Sequence, residues 1–162
     1  MKFNIIVQGK PVPKGSASAF YNKAIGRAMV VQSNANKQKP WVSAIVDKAK
    51  QEWGQRPPTR GRVSISKMEF SFFRPKSHFG SGKNSNVVKS SSPSCHLSKP
   101  DIDKLIRCDL DALTGIIWVD DSQVVAIDNA EKTWGEKEGL SMSLEAECAS
   151  DSESTEETGT TK

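Results

Sequence analysis

Six aspartates lie close together in a chain that is otherwise basic, at Asp101, Asp103, Asp109, Asp111, Asp120 and Asp121. Residues 1–100 hold 18 Lys and Arg against only 3 Asp and Glu. Carboxylate oxygens are the ligands that Mg²⁺ prefers, and a bound ion relieves the repulsion among neighbouring carboxylates. Such an ion can orient a water for attack at phosphorus. A carboxylate cluster in a cationic chain therefore indicates metal-dependent chemistry on a polyanion such as nucleic acid.

The first four aspartates fall in a segment that is typical of a helix. Pro100 before it and Gly115 after it predict a helix over 101–114, with Asp101 as its N-cap. We expect Asp109 to lie at the surface, outside the cluster. The predicted buried stripe is Ile102, Leu105, Ile106, Leu110 and Leu113.

The spacing of the remaining acids allows a metal site. Asp103, Arg107 and Asp111 recur every four residues and share one helix face. Asp120 and Asp121 follow a short apolar segment, and a chain reversal at the glycine can return them to the helix N-terminus. Three or four carboxylates would then converge.

Four of the aspartates also have a purely structural interpretation. Asp101 can serve only as an N-cap. Asp111 can pair with Arg107 on a solvated helix face. Asp120 and Asp121, followed by serine, are suited to a turn.

Two cationic stretches precede the aspartates, and we expect both to contact phosphates. Residues 10–28 contain prolines, glycines and small side chains that predict a loop or irregular hairpin. Residues 76–99 are rich in Gly, Ser and Lys and predict a long mobile loop. A solvated surface without a role is the alternative for any one residue. The candidate DNA contacts are Lys10, Lys14, Lys23, Arg27, Lys83, Lys89, Lys99 and Lys104.

The pattern of predicted strands and helices indicates a single α+β domain over residues 1–147. Alternating apolar residues predict strands over 2–9, 61–75, 122–135 and 139–147, the last as a hairpin strand. Helical spacing of Trp41, Ala44, Ile45, Ala49 and Trp53 predicts a helix over 36–53. The expected order is β-α-β-α-β-β, with a mixed or antiparallel sheet and two main helices.

Strict alternation in the strand at 61–75 puts Val63 and Ile65 on one face. The same rule puts Met68, Phe70 and Phe72 on the other, so that both faces are mixed. Residues 148–162 are acidic and almost without apolar side chains, and we expect a disordered tail there.

Composition argues against several other classes of protein. The three cysteines form no CxxC pair, which argues against a zinc ribbon or a disulfide framework. The two histidines are distant from the aspartates, which disfavours a histidine-based nuclease or a catalytic triad. No Walker-type phosphate loop is present, so we expect no nucleotide cofactor. Neither a signal peptide nor a membrane span is visible, and we expect a cytoplasmic location.

The stretch KPDIDKLIRCDLDALTGIIWVDDSQV, residues 99–124, resembles the signature of the RusA-type Holliday junction resolvases. That signature reads roughly PD-x-DNL-x-K…DAL…G…W-x-DD-x-QV. The N-terminal GKPVPKGS and the Lys/Gly/Ser-rich loop look like those of phage-encoded members. The order of predicted elements agrees more loosely over residues 1–147.

The resemblance implies a homodimeric, Mg²⁺-dependent endonuclease for which Mn²⁺ can substitute. It implies cleavage of four-way DNA junctions by paired symmetric nicks, in recombination and repair. Asp101, Asp103 and Asp121 would be the essential metal-binding carboxylates, with Asp120 and Asp111 as secondary candidates.

Two positions depart from the family pattern. Arg107 stands where the family has a catalytic lysine, which keeps the charge but not the point-ammonium geometry. Lys104 stands where the family usually has asparagine, and its charge can weaken metal binding or supply the missing lysine function. These changes leave a non-catalytic protein that binds branched DNA as an alternative to junction resolution. A flap or fork endonuclease is a related enzymatic alternative.

Overall fold

The computed structural model describes residues 1–147, without the side chains of Val31 and Gln32. The predicted α+β fold with a mixed sheet is confirmed. The predicted acidic tail, with Cys148, lies outside the described residues. The strands are β1 (Lys2–Gln8), β2 (Ala17–Asn22), β3 (Arg27–Gln32), β4 (Val63–Phe73), β5 (Val124–Ile127), β6 (Ala130–Gly135) and β7 (Gly139–Ala146), and the helices are α1 (Ala35–Trp53) and α2 (Ile102–Leu113).

The central sheet has the order β1-β7-β4-β5, and β6 also pairs with β4. β5 and β6 run parallel to β4, whereas β7 runs antiparallel to both β4 and β1. Strand β7 was expected to form a hairpin with the preceding strand, and this is wrong because β4 lies between β6 and β7. The single strand predicted over 122–135 is also divided into β5 and β6.

A β-bulge explains the apolar pattern of β4. The register against β7 shifts between Ile65 and Lys67, so one extra residue enters the strand there. The extra residue turns the second half of the strand over, and apolar residues from both halves then face the core. The prediction of two mixed faces is therefore wrong. The buried residues are Val63, Ile65, Met68, Phe70 and Phe72.

Both helices pack their apolar faces into the same core as the sheet. α1 buries Trp41, Ile45, Ala49 and Trp53, as its spacing predicts. α2 buries a different set from the predicted stripe, because Ile102, Ile106 and Leu110 are only partly covered. Its fully covered residues are Leu105, Cys108, Asp109, Ala112 and Leu113. No helix among residues 1–147 is long and apolar enough to cross a membrane.

Backbone hydrogen bonds organise much of residues 76–99, and the mobility expected of this long loop stays a prediction. The segment contains two short 3₁₀ turns, Lys76–His78 and Gly82–Asn84, and an antiparallel bridge pairs Phe79 with Val88 on either side of the second turn. The imidazole of His96 then packs between two aromatic rings of the sheet, at centroid distances of 4.4 and 4.3 Å. The chain therefore enters α2 from a fixed position on the sheet.

Candidate active site

Asp101 lies at the N-terminal end of α2, in the N-cap position that the sequence predicts. Its backbone is extended, but its carboxylate caps no backbone N–H of the helix. The carboxylate instead pairs with the Lys104 ammonium at 2.9 Å. The hydrogen bond and charge of Lys104 lower the pKa of Asp101, and Lys99 and Lys132 add to the effect. Asp101 is therefore an ionised, half-exposed carboxylate among cations.

Lys132 on β6 fixes the chain just before α2. Its ammonium donates to the backbone oxygens of Ser98 at 2.7 Å and Pro100 at 2.8 Å. Lys132 pairs in register with Phe70 on β4, so the N-terminus of α2 is anchored near the C-terminal part of that strand.

A cleft of about 620 Å³ opens beside Asp101. Its walls come from residues 10–16, from the start of α1 and from the start of α2. Asp101 is its one acidic lining residue among the described residues. The positive end of the α1 helix dipole adds to the attraction of this cleft for anions. The lining cations are Lys10, Lys14, Lys37, Lys99 and Lys104.

Lys14 connects the wall formed by residues 10–16 to α2. Its backbone N–H donates to the Lys104 carbonyl at 2.9 Å, and its ammonium forms an ion pair with Asp111. Gly15 permits the approach to α1, because a Cβ at that position would lie 2.7 Å from the backbone nitrogen of Asn34. Any larger residue would force residues 10–16 away from α1.

Asp103, Arg107 and Asp111 are exposed on α2, at the expected four-residue spacing. Asp103 follows Asp101 in the first turn, so two carboxylates occupy the helix N-terminus. Asp111 pairs with Lys14 and not with Arg107, because the Lys14 ammonium reaches the last turn of α2.

Asp120 and Asp121 lie beside the opposite end of α2. The Asp120 side chain accepts from the Ser122 N–H at 2.9 Å and caps a 3₁₀ turn that begins at Asp121. Gln123 of that turn donates to the backbone oxygens of Thr59 and Gly61, both at 2.9 Å. A helix of this length spans about 18 Å. The 3₁₀ turn leads into β5, which pairs with β4 at Val63, whereas the start of α2 is anchored beside Phe70. The two aspartate pairs therefore lie toward opposite ends of β4 within one subunit.

The expected convergence of three or four carboxylates does not occur within residues 1–147. No group of three or more His, Cys, Asp or Glu side chains in that range is placed to hold a metal ion. Asp101 and Asp103 remain a two-carboxylate set of hard oxygen donors. Mg²⁺ is commonly held by one or two carboxylates together with waters and substrate phosphates, so these two residues fit such an ion.

A family model described as endodeoxyribonuclease RusA matches residues 8–145, most of the chain. This chain belongs to the RusA family. A comparison with curated proteins found no match. Membership makes the chain an endodeoxyribonuclease, and the family implies activity on Holliday junctions. RusA-family nucleases generally depend on a divalent metal ion.

The candidate DNA contacts of this RusA-family chain separate into three places. Lys10, Lys14, Lys99 and Lys104 line the cleft. Lys23 and Arg27 belong to the β2–β3 hairpin, in its turn and at the start of β3. Lys83 and Lys89 lie on the 76–99 segment, where the Lys89 ammonium donates to the Ser77 carbonyl at 2.8 Å.

Sequence reasoning missed one cleft cation and misplaced one acid. Lys37 lies in the first turn of α1, which has no acidic residue. Its position at a helix N-terminus is the sequence signal that could have identified it as a candidate phosphate contact. Asp109 is fully buried, not at the surface as expected. It replaces an apolar residue on the covered face of α2, so apolar periodicity gives no sign of its burial.

Proposed function

We propose that this RusA-family protein resolves four-way DNA junctions by paired symmetric nicks, as a Mg²⁺-dependent homodimer. The observation that carries the proposal is the lysine-lined cleft with Asp101 at its edge. A cleft lined by five lysines and one carboxylate suits a phosphate backbone that must be held close to an acidic reaction centre. A DNA substrate makes the bacterial cytoplasm the expected place of action.

The cleft lysines supply attraction that does not depend on base sequence. Each phosphate neutralised by a lysine releases counterions, so binding should weaken steeply as salt rises. Lys10, Lys37 and Lys99 are suited to this role because none of them has an ion-pair partner among the described residues.

Asp101 and Asp103 are the proposed metal-binding carboxylates at the reaction centre. Bound Mg²⁺ would supply an oriented water and stabilise charge on the departing oxygen. Arg107 is exposed one turn further along the same face as Asp103. From there its guanidinium can bind the scissile phosphate in two hydrogen bonds.

Asp121, with Asp120, is proposed to complete the site of the other subunit. The reason is the helix length that separates these residues from Asp101 within one chain. In a two-fold dimer, each subunit can offer its α2 N-terminus to one site and its Asp121 to the other. Each site would then depend on both subunits, which links the two nicks.

The test is cleavage of a synthetic four-way junction, with each strand labelled in turn. Reactions with Mg²⁺, with Mn²⁺ and with a chelator are compared, and linear duplex and flap DNA of the same sequence are the controls. Symmetric, metal-dependent nicks in opposing strands support the proposal. Tight junction binding without nicks in either metal would refute it, as would equal cleavage of flap DNA.

A further inference from the structure

The β2–β3 hairpin forms a two-stranded sheet of its own, separate from the central sheet. Its large apolar side chains are unusually open to solvent, with Tyr21 at 63% and Phe20 at 49% relative exposure. Ile25 in the turn and Val30 on β3 are also exposed. Exposed apolar side chains that lie together commonly mark an interaction site.

The register of the hairpin directs the two rings to opposite faces. Phe20 is paired with Met29, and the next residue, Tyr21, is paired with Ala28. Successive strand residues alternate between faces, so each face presents one aromatic ring beside a smaller side chain. An isolated two-stranded hairpin gains little stability in water, and neither ring contributes to the core of residues 1–147.

The charge around the hairpin specifies an anionic partner. Residues 1–46 contain no Asp or Glu, and the hairpin itself carries Lys23 and Arg27. A second copy of this surface would bring like charges together. A nucleic acid offers both the negative charge for the cations and flat bases for the rings.

The hairpin continues directly into the lysine-lined cleft. The Ser33 N–H donates to the Ser16 carbonyl at 3.2 Å at the foot of the hairpin, and both residues line the cleft. A DNA strand held in the cleft therefore passes the base of the hairpin. Bases left unpaired beside that strand would meet its rings.

We propose that Phe20 and Tyr21 stack on bases exposed at the branch point of the DNA, one ring on each face of the hairpin. The inference rests on the proposed junction-binding function. In this proposal the β2–β3 hairpin recognises the branch point, and the cleft lysines attract the DNA backbone. Continuous duplex has no exposed base faces, so the rings should favour a junction over linear DNA.

The test compares junction and duplex affinities of the full-length protein at fixed salt. Phe20→Leu and Tyr21→Leu keep an apolar side chain but remove the aromatic ring. Tyr21→Trp replaces one aromatic ring with another. Ile6→Ala is the control, since Ile6 is 58% exposed on β1. Melting temperature and oligomeric state are measured for every variant, and 2-aminopurine at the branch reports stacking directly.

Each leucine variant should lose junction affinity by about 5-fold or more. Duplex affinity should stay unchanged, the 2-aminopurine response should shrink, and Tyr21→Trp should behave as the unchanged protein does. Unaltered junction affinity in both leucine variants would overturn the inference. A shift from dimer to monomer would overturn it too, by making the hairpin a contact between copies.

The same experiment separates this inference from the proposed function. Junction binding without nicking by the unchanged protein would refute the proposed catalysis and leave base stacking supported by the leucine variants. Nicking with no effect of the leucine variants would refute only base stacking. Equal affinity of the unchanged protein for junction and duplex would refute both.

Discussion

Trp41 on α1 donates its indole N–H to the carboxyl of Asp109 on α2 at 2.9 Å, and both residues are buried. The second carboxyl oxygen has no hydrogen-bond partner among the described residues. Burial raises the pKa of Asp109 to about 8, and the Trp41 hydrogen bond only partly opposes the shift. The helix that carries the candidate site is thus joined to α1 through a carboxyl group that favours its protonated form.

Asp109→Asn should remove a pH dependence of stability. The folded-state pKa lies above the ordinary value of 3.8, so this group's stabilising contribution is full below about pH 4 and is lost as pH rises toward 8. Asparagine keeps an acceptor for Trp41 without the charge. Between pH 5 and 8, the unchanged protein should lose at least about 1.4 kcal/mol of unfolding free energy relative to the variant. Urea denaturation at both pH values measures this, with Asp47→Asn as control, and parallel pH profiles would contradict it.

Asp103→Asn should abolish cleavage and preserve or tighten junction binding. The change removes a proposed metal ligand and also a negative charge near the phosphates. Cleavage and gel-shift assays on the same junction measure the two effects separately. Asp47→Asn, an exposed acid on α1, should leave both unchanged. Parallel loss of binding and cleavage would refute a role confined to the reaction centre.

Lys37→Ala should weaken junction binding several-fold and lower the salt dependence of binding. Removing one phosphate contact should reduce the slope of log K against log salt by about 1. Lys50→Ala is a matched control, because Lys50 is an exposed lysine at the other end of the same helix. Equal slopes for the two variants would show that Lys37 does not contact DNA.

Mixing Asp101→Asn subunits with Asp121→Asn subunits should restore cleavage that neither variant has alone. If Asp121 serves the partner's site, each mixed dimer has one intact site and one doubly defective site. The product should be a single nick and not a symmetric pair, as strand-specific labelling would show. Continued inactivity of dimers that are shown to have exchanged subunits would show that Asp121 does not complete the partner's site.

Lys104→Asn should tighten divalent-metal binding in the absence of DNA. Lys104 pairs with Asp101 at 2.9 Å, so its ammonium competes with a metal ion for that carboxylate. The pKa of Asp101 should rise toward its ordinary value, because the main cause of its lowering is removed. The Mg²⁺ concentration that gives half of the maximal thermal shift should fall. Lys50→Asn is the control, and an unchanged Mg²⁺ response would show that the pair does not oppose metal binding.

Features that depend on neighbouring residues could be predicted from the amino-acid sequence. Helical spacing and the flanking proline and glycine located α1 and α2, and alternation located β1, β4 and β7, because these patterns reflect local backbone geometry. The cationic composition and the aspartate motif at 99–124 indicated the family for the same reason, since each is a property of the chain alone.

How distant parts of the chain meet could be read only from the folded structure. The bulge in β4 reversed the faces of Met68 and Phe70, and β4 separated β6 from β7. Strand pairing and packing depend on contacts between residues far apart in sequence, which no local period encodes. The burial of Asp109, the entry of Lys37 into the cleft and the position of Asp121 beyond the far end of α2 follow from those contacts.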